Sequence, residues 1–546
     1  MEPAYRARLA SWASVGATDM VWRKAPGFWP EAPATDVVGR LGWLQAPELA
    51  AALVTELRSF VEEVMRDGVE HVVLLGMGGS SLAAEVLARV IPREPQYPEL
   101  TVLDSTHPTA VRACAEACPP KDTLYLVSSK SGTTLEPNAF FRLFWEKVSR
   151  NSASPGQRFV AITDPGTPLE QLAKQRQFRR CFAAPADVGG RYSALTVFGL
   201  VPGALVGADI AGVLATARAM AAECMEAADL VKNPGLRLGA ALGELARAGR
   251  DKVVFCTTRS LRPFPAWTEQ LLAESLGKLG RGIVPVARTP PRAGLPSSTD
   301  VVLIHVALEG EDDVRLEREL ARRESEGVPV LRFRMASPLD LGQEFFRWEY
   351  AVAACGAVIE VDPFDQPDVE HAKELAREAM APPTTGRDTA AYGVQIGRES
   401  ASAVERWLTL ARPGDYVAVQ AFLPPNRTTD AALERLASRL CDHLGAVVTV
   451  GYGPRFLHST GQLHKGGPPS GLFLQIVDEP TEDVAVPELG LTFGTIIRAQ
   501  ARGDRGALEE KARRVLVVNA GDRPTEALAG LVRQVGRGSP AGPAPA

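Results

Sequence analysis

Short runs that are apolar at every position alternate with longer amphipathic stretches through most of this chain, and that alternation restricts the fold more than any other feature of the sequence. A continuous apolar run suits a strand covered on both faces, and a helix between two such runs lets the strands lie parallel. HVVLLG (71–76), TLYLVSS (123–129) and RFVAIT (158–163) read as buried strands, with LAAEVLARVI (82–91) and NAFFRLFWEKV (138–148) as helices between them. A second unit starts near Asp251 with KVVFCTT (252–258) and continues through GIVPVAR (282–288) and DVVLIHVAL (300–308). After a polar stretch at 381–398 the pattern returns in YVAVQAFL (416–423), AALERLASRLCDHLG (431–445) and AVVTVGYG (446–453).

The expected fold is therefore α/β, an αβα sandwich of parallel sheets, and 546 residues allow three to four units at about 150 residues each. The expected division is a helical or linker segment over 1–50, a first domain over 51–232 and a second over 233–380. A further α/β section over 381–535 completes or duplicates the second, and 536–546 form a disordered tail. Sixty basic against 65 acidic side chains leave a net charge of -5, so no global basic field draws in nucleic acid or an anionic membrane. The start lacks the apolar core of a secretion signal, no apolar run approaches a bilayer span, and a cytoplasmic location is expected. Seven scattered Cys without metal-ligand spacing read as reduced structural residues.

Two loops carry the first chemical signal. GMGGSS follows the 71–76 run, and its Gly78 and Gly79 free the backbone to turn N–H groups toward an anion, with Ser80 adding a hydroxyl. Neither the dinucleotide spacing GxGxxG nor the P-loop Lys is present, and a plain strand-to-helix turn would use the same glycines. SSKSGTTLE follows the 123–129 run and gathers Ser129, Ser131, Thr133 and Thr134 around Lys130 before a helix start, a donor set suited to a phosphate dianion. Helix capping would account for one or two of these hydroxyls.

GMGGS after one strand and SKSGTT after the next resemble the sugar isomerase (SIS) fold. GGRYS (189–193), ESLGK (274–278) and PFDQPDVEHAK (363–373) then resemble, in order, the signature segments of the glucose-6-phosphate isomerase family. The wording HSTGQLHKGGP resembles the isomerase half of bifunctional transaldolase/phosphoglucose isomerase proteins. No (β/α)8 barrel fits before residue 70, so isomerisation alone is expected.

The resemblance implies reversible conversion of glucose 6-phosphate to fructose 6-phosphate through an enediol, a step of glycolysis and gluconeogenesis, without metal or cofactor. It assigns Glu274 as the base that moves a proton between C1 and C2, Arg191 as the partner of the enediolate, Gln366 to phosphate binding and Lys373 to ring opening. Gln366 and Lys373 stand seven positions apart, about two helical turns. Family members of ordinary order carry a ring-opening His between the base and the QPxVExxK segment, where this chain offers only His305. His464, in TGQLH, is the preferred match instead, with His305 and His458 as alternatives, and its place after Lys373 implies a relocated segment or an extra SIS-like unit. A non-catalytic sugar-phosphate sensor and an isomerase of a related phosphosugar are the competing readings. A homodimer or a monomer is expected.

Overall fold

The computed structural model describes residues 2–227, 229–287, 295–296, 298–380 and 392–536. Three parallel sheets organise them. The first contains β1 (His71–Gly76), β2 (Glu99–Leu103), β3 (Thr123–Ser128), β4 (Phe159–Thr163) and β5 (Arg180–Ala183), in the order β2-β1-β3-β4-β5. The second contains β6 (Lys252–Thr257), β7 (Val284–Val286), β8 (Val301–Leu308) and β9 (Val330–Met335), in the order β7-β6-β8-β9. The third contains β10 (Val394–Gln395), β11 (Tyr416–Phe422), β12 (Val447–Tyr452), β13 (Gly471–Val477) and β16 (Arg514–Asn519), in the order β10-β16-β13-β11-β12. A small antiparallel ribbon, β14 (Ala485–Val486) and β15 (Leu491–Thr492), precedes β16.

Central strands are the uninterrupted apolar runs: Val72 to Leu75 are wholly buried, and β1 pairs in register with β3 from His71↔Thr123 to Gly76↔Ser128. In each sheet the unit's first full strand has the next on one side and later strands on the other, which puts the reversal of strand order at β1/β3, β6/β8 and β11/β13. Ligands of open parallel sheets bind outside the carboxyl ends of the strands at such a reversal. GMGGSS leaves β1 and SSKSGTT leaves β3, so both loops stand at the first of these three points.

The other two points differ. After β6, the Ser260 N–H donates to Glu311 Oε2 at 2.9 Å and the Ser260 hydroxyl donates to Glu311 Oε1, so a carboxylate of the chain fills that turn. After β11 comes Leu423-Pro424-Pro425, where two prolines offer no N–H.

The first fifty residues, expected as a linker or helical segment, pack into the main core. Trp29 Nε1 donates to the Ala353 carbonyl at 2.7 Å, and Trp43 stacks on Tyr192 with ring centroids 5.5 Å apart. Both contacts tie this segment to the long buried helix Leu341–Ile359 and to the loop that carries Arg191. The section after 391 forms a sheet of its own and docks on the first unit. Phe493 stacks on Phe140 at 5.7 Å, His107 Nε2 lies 3.1 Å from both Asp478 oxygens, and Arg455 Nη1 donates to Asp104 at 2.8 Å. The cysteines of the chain are free thiols. The tail expected over 536–546 lies outside the described residues apart from Gly536. No described helix is long and apolar enough to cross a membrane.

Candidate active site

Three segments distant in sequence converge because two glycines have no side chain. A Cβ on Gly79 would lie 2.1 Å from the Gly190 carbonyl oxygen, and one on Gly78, whose φ is +53°, would lie 2.6 Å from the His458 carbonyl oxygen. Only glycine permits both the left-handed turn and the close approach. GMGGSS, GGRYS and the 455–459 turn of the third unit therefore meet at the carboxyl end of β1. Ser128 fixes the turn by donating to the Ser80 carbonyl at 2.9 Å.

The hydroxyl loop is organised around itself. Ser129 and Thr134 share a hydrogen bond of 3.0 Å, Ser131 and Thr133 one of 2.9 Å, and the Gly132 N–H donates to Ser129 Oγ at 3.1 Å. Thr134 occupies the N-cap position of the Leu135–Ser149 helix, yet its hydroxyl makes no capping bond, so capping does not explain the cluster. Ser131 and Thr133 are exposed at the positive end of that helix, as an anion seat requires. Lys130 is paired with Asp164 and also donates to the Ala186 carbonyl at 3.3 Å, so its charge is already shared.

Arg191 is 3% exposed and all its nitrogens are engaged. Nε donates to Ser275 Oγ at 2.8 Å, Nη1 to Glu274 Oε1 at 3.1 Å and to Gln366 Oε1 at 2.6 Å, and Nη2 to the Pro363 and Asp365 carbonyls at 2.8 Å each. A guanidinium held by five acceptors cannot swing away, and low local dielectric strengthens its field at the neighbouring carboxylate. Glu274 sits near the end of the Phe264–Leu276 helix, and its second oxygen accepts from Gln270 Nε2 at 2.9 Å. The same Gln270 nitrogen donates to the His458 carbonyl at 2.8 Å, while Gln270 Oε1 has no protein partner.

The histidines are sorted by this geometry. His458 Nε2 lies 2.9 Å from Glu136 Oε1, which also accepts from Gln500 Nε2 at 2.6 Å. That contact engages His458 through Nε2 alone.

His464, the preferred candidate from sequence, stands elsewhere. It is 4% exposed, its Nδ1 is 3.2 Å from Gln420 Nε2, and its ring packs against Tyr416, Phe456 and Phe473. Burial, with Lys465 and Arg513 nearby, holds its pKa well below the ordinary imidazole value, so it stays neutral in the third unit's core. His464 lies on the short Gly461–Gly466 helix, three residues beyond the 455–458 turn, and is buried there. His305 lies on β8 of the second unit, 3.2 Å from Glu317 Oε1, with its pKa lowered by burial.

The structure thus brings together Gly78, Gly79, Arg191, Glu274 and Gln366, beside the hydroxyl loop. Gln366, assigned by resemblance to phosphate, here accepts from Arg191. Lys373 lies on the Pro367–Met380 helix, and its side chain is outside the described residues. Glu136 and Gln270 escaped the sequence reading. Their signals were a carboxylate in the first helical turn after the hydroxyl loop and an amide four residues before Glu274 on one helix face.

Parallel sheets, a hydroxyl loop at a strand-order reversal and a part-buried carboxylate–guanidinium pair are the features of the sugar isomerase class of fold. A family model for phosphoglucose isomerase matches residues 49–282. A probable glucose-6-phosphate isomerase of Natronomonas pharaonis is 30% identical over 364 residues, covering 60% of this chain and 83% of that protein. The glucose-6-phosphate isomerase of Leptospira interrogans is 29% identical over 386 residues, covering 61% and 85%. Among solved structures, a hypothetical protein from Thermus thermophilus superposes with a TM-score of 0.60 at 26% identity, covering 70% of this chain and 98% of that one. A glucose-6-phosphate isomerase from Chlamydia trachomatis shares the fold, with a TM-score of 0.55 at 19% identity over 74% of this chain and 89% of that one. The chain belongs to the phosphoglucose isomerase family.

Proposed function

We propose that this protein interconverts glucose 6-phosphate and fructose 6-phosphate through an enediolate, with Glu274 as the proton carrier. The observation that carries the reading is the Arg191–Glu274 pair at 3.1 Å, with the guanidinium buried and the carboxylate part-exposed. The phosphate is seated by the 129–134 hydroxyls and backbone amides, with the Gly78–Ser80 turn closing over the sugar. His458, oriented by Glu136, gives a proton to the ring oxygen; the C1–O5 bond breaks, C1=O1 forms, and the O1 proton returns to the imidazole, so the sugar opens with no net change in His458.

Glu274 then takes the C2 proton. The C–H electron pair forms the C1=C2 bond, the carbonyl electrons move to O1, and Arg191 balances the charge that develops there. The carboxylic acid returns the proton to C1, and the O2 proton passes to O1 as the C2 carbonyl forms. Lys373 is assigned to ring opening by family resemblance. Because His458 and Glu274 stand in one chain, the reading needs no residue from a second copy.

The test is a coupled assay of glucose 6-phosphate formation from fructose 6-phosphate, run with EDTA on wild type and Glu274→Gln. Wild-type turnover with a loss of at least about 10³-fold in the variant is expected, since proton transfer and the charge on the base vanish together. Near-normal turnover of Glu274→Gln would remove the mechanism. An inactive wild type that still binds fructose 6-phosphate would instead identify a sensor.

A further inference from the structure

The backbone from Asp362 to Gln366 is gripped from two sides. On one side Arg191 binds the Pro363 and Asp365 carbonyls and the Gln366 side chain. On the other, Lys278, 3% exposed, gives its ammonium to the Asp362 carbonyl and stands 2.7 Å from Asp365 Oδ1. Within the segment, Asp362 Oδ1 accepts from the Phe364 N–H at 2.8 Å. Lys278 follows the helix that carries Glu274 and is fixed in a tight turn by the backbone bond from its N–H to the Arg281 carbonyl at 3.1 Å. No step of the reaction above uses it.

We propose that Lys278 is a positioning residue of this site, an ammonium that clamps the 362–366 strap so that the strap in turn holds Arg191 against Glu274. The proposal rests on the role given to Arg191 in the isomerase reading. An ammonium is costly to bury, and its presence is rational only where it satisfies acceptors that would otherwise be stranded. A neutral side chain at 278 would leave the Asp362 carbonyl and the Asp365 carboxylate without that donor. The strap would relax on the face opposite Arg191, and a displacement near 1 Å at such a position costs about 10²-fold in rate.

The groups facing the Lys278 ammonium are Arg191 from the GGRYS turn and Asp362 and Asp365 from the strap, with Asp36 acting on Asp362 from the N-terminal segment; Glu274, on its own helix, is engaged by Arg191. Burial and the Arg191 charge push the Lys278 pKa down to about 8, against the upward pull of the two aspartates. Above that pH the clamp loses its charge, so wild-type kcat falls on the alkaline side.

The experiment compares full-length wild type, Lys278→Met, Lys278→Arg and Asp365→Asn. Lys278→Met is expected to lose about 10²-fold in kcat with KM changed less than about threefold, because Arg191 acts on the intermediate rather than on substrate binding. Lys278→Arg keeps a charge that does not titrate, so it recovers most of kcat and lacks the alkaline fall. Asp365→Asn alters a side chain 38% exposed, which favours folding, and removes an anion that raises the Lys278 pKa; the alkaline fall then moves to lower pH.

A folded Lys278→Met with kcat within about threefold of wild type overturns the proposal, as does an alkaline fall unmoved in Asp365→Asn. Hydrogen–deuterium exchange over 362–366, measured without substrate, separates this from the isomerase reading. Faster exchange in Lys278→Met is expected whatever the protein's activity, and unchanged exchange overturns the clamp even if wild type isomerises normally. A wild type without isomerase activity removes the functional reading while the exchange still decides whether Lys278 holds the strap.

Discussion

Replacing Glu136 by Gln is the sharpest probe of how this site opens a sugar ring. The carboxylate accepts from His458 at 2.9 Å and from Gln500 at 2.6 Å in a buried setting. Glutamine keeps the shape and can still accept from Gln500, so only the charge facing the imidazole is lost. A hydrogen bond to a charged group contributes about 1.5–3 kcal/mol. At about 1.4 kcal/mol per tenfold, the loss predicted for ring opening is about 10- to 150-fold in kcat/KM. Because a neutral isostere replaces a buried charge, stability should hold or rise slightly, and thermal unfolding separates the kinetic effect from misfolding.

The assay compares fructose 6-phosphate with 5-deoxyfructose 6-phosphate, a 2-ketose that without O5 and with O6 phosphorylated stays open-chain. Glu136→Gln and His458→Ala should impair the cyclic substrate, His458→Ala by about 10²- to 10⁴-fold, and leave the open-chain one within a few fold. Equal losses on both substrates would refute the assignment of His458 to ring opening. Unimpaired turnover of the cyclic sugar would refute any role for the pair.

Three further outcomes are expected. On the proposed reading, in which each site draws both residues from one chain, mixing Glu274→Gln with His458→Ala protein should restore nothing; recovery toward about a quarter of wild-type activity would show sites completed between copies of a dimer. Gly79→Ala drives a Cβ to 2.1 Å from the Gly190 carbonyl, so kcat/KM should fall by at least about 10²-fold with a lowered melting temperature, and a wild-type-like enzyme would deny the contact. Glu344 is wholly buried beside Arg347, and burial raises its pKa to about 7. The folded state then holds this proton more tightly than the unfolded one, so the contribution is full below pH 4.5 and is lost as pH rises to about 7. That loss is about 3 kcal/mol in unfolding free energy, and Glu344→Gln should abolish it; an unchanged pH profile would refute the assignment.

The parts legible in the sequence are those in which neighbours in the chain are also neighbours in space. His71–Gly76 and Tyr416–Phe422 are strands because both faces of each are covered, and a continuous apolar run says so directly. Glu99–Leu103 stands at a sheet edge, more exposed and less apolar, and carries no such signal. The phosphate loop and the ESLGK and GGRYS segments are contiguous, so their chemistry could be read from residue types. The histidine could not be read that way. His458 and His464 lie in one short segment, and only the docking of the third unit decides which of them meets Glu136 and which is buried among Tyr416, Phe456 and Phe473. The Gln270 bridge was likewise invisible, because its meaning depends on the carbonyl of a residue 188 positions away.

The repeated strand order has a consequence for stoichiometry. The described residues contain three reversals of the kind that invite an anion, but Glu311 already occupies the turn after β6, and Pro424 and Pro425 strip donors from the turn after β11. Of these three turns, the one after β1, with the hydroxyl loop after β3, keeps exposed hydroxyls to receive a phosphate. A calorimetric titration with a phosphosugar should therefore saturate at one equivalent per chain, with any phosphate mimic competing for that same seat.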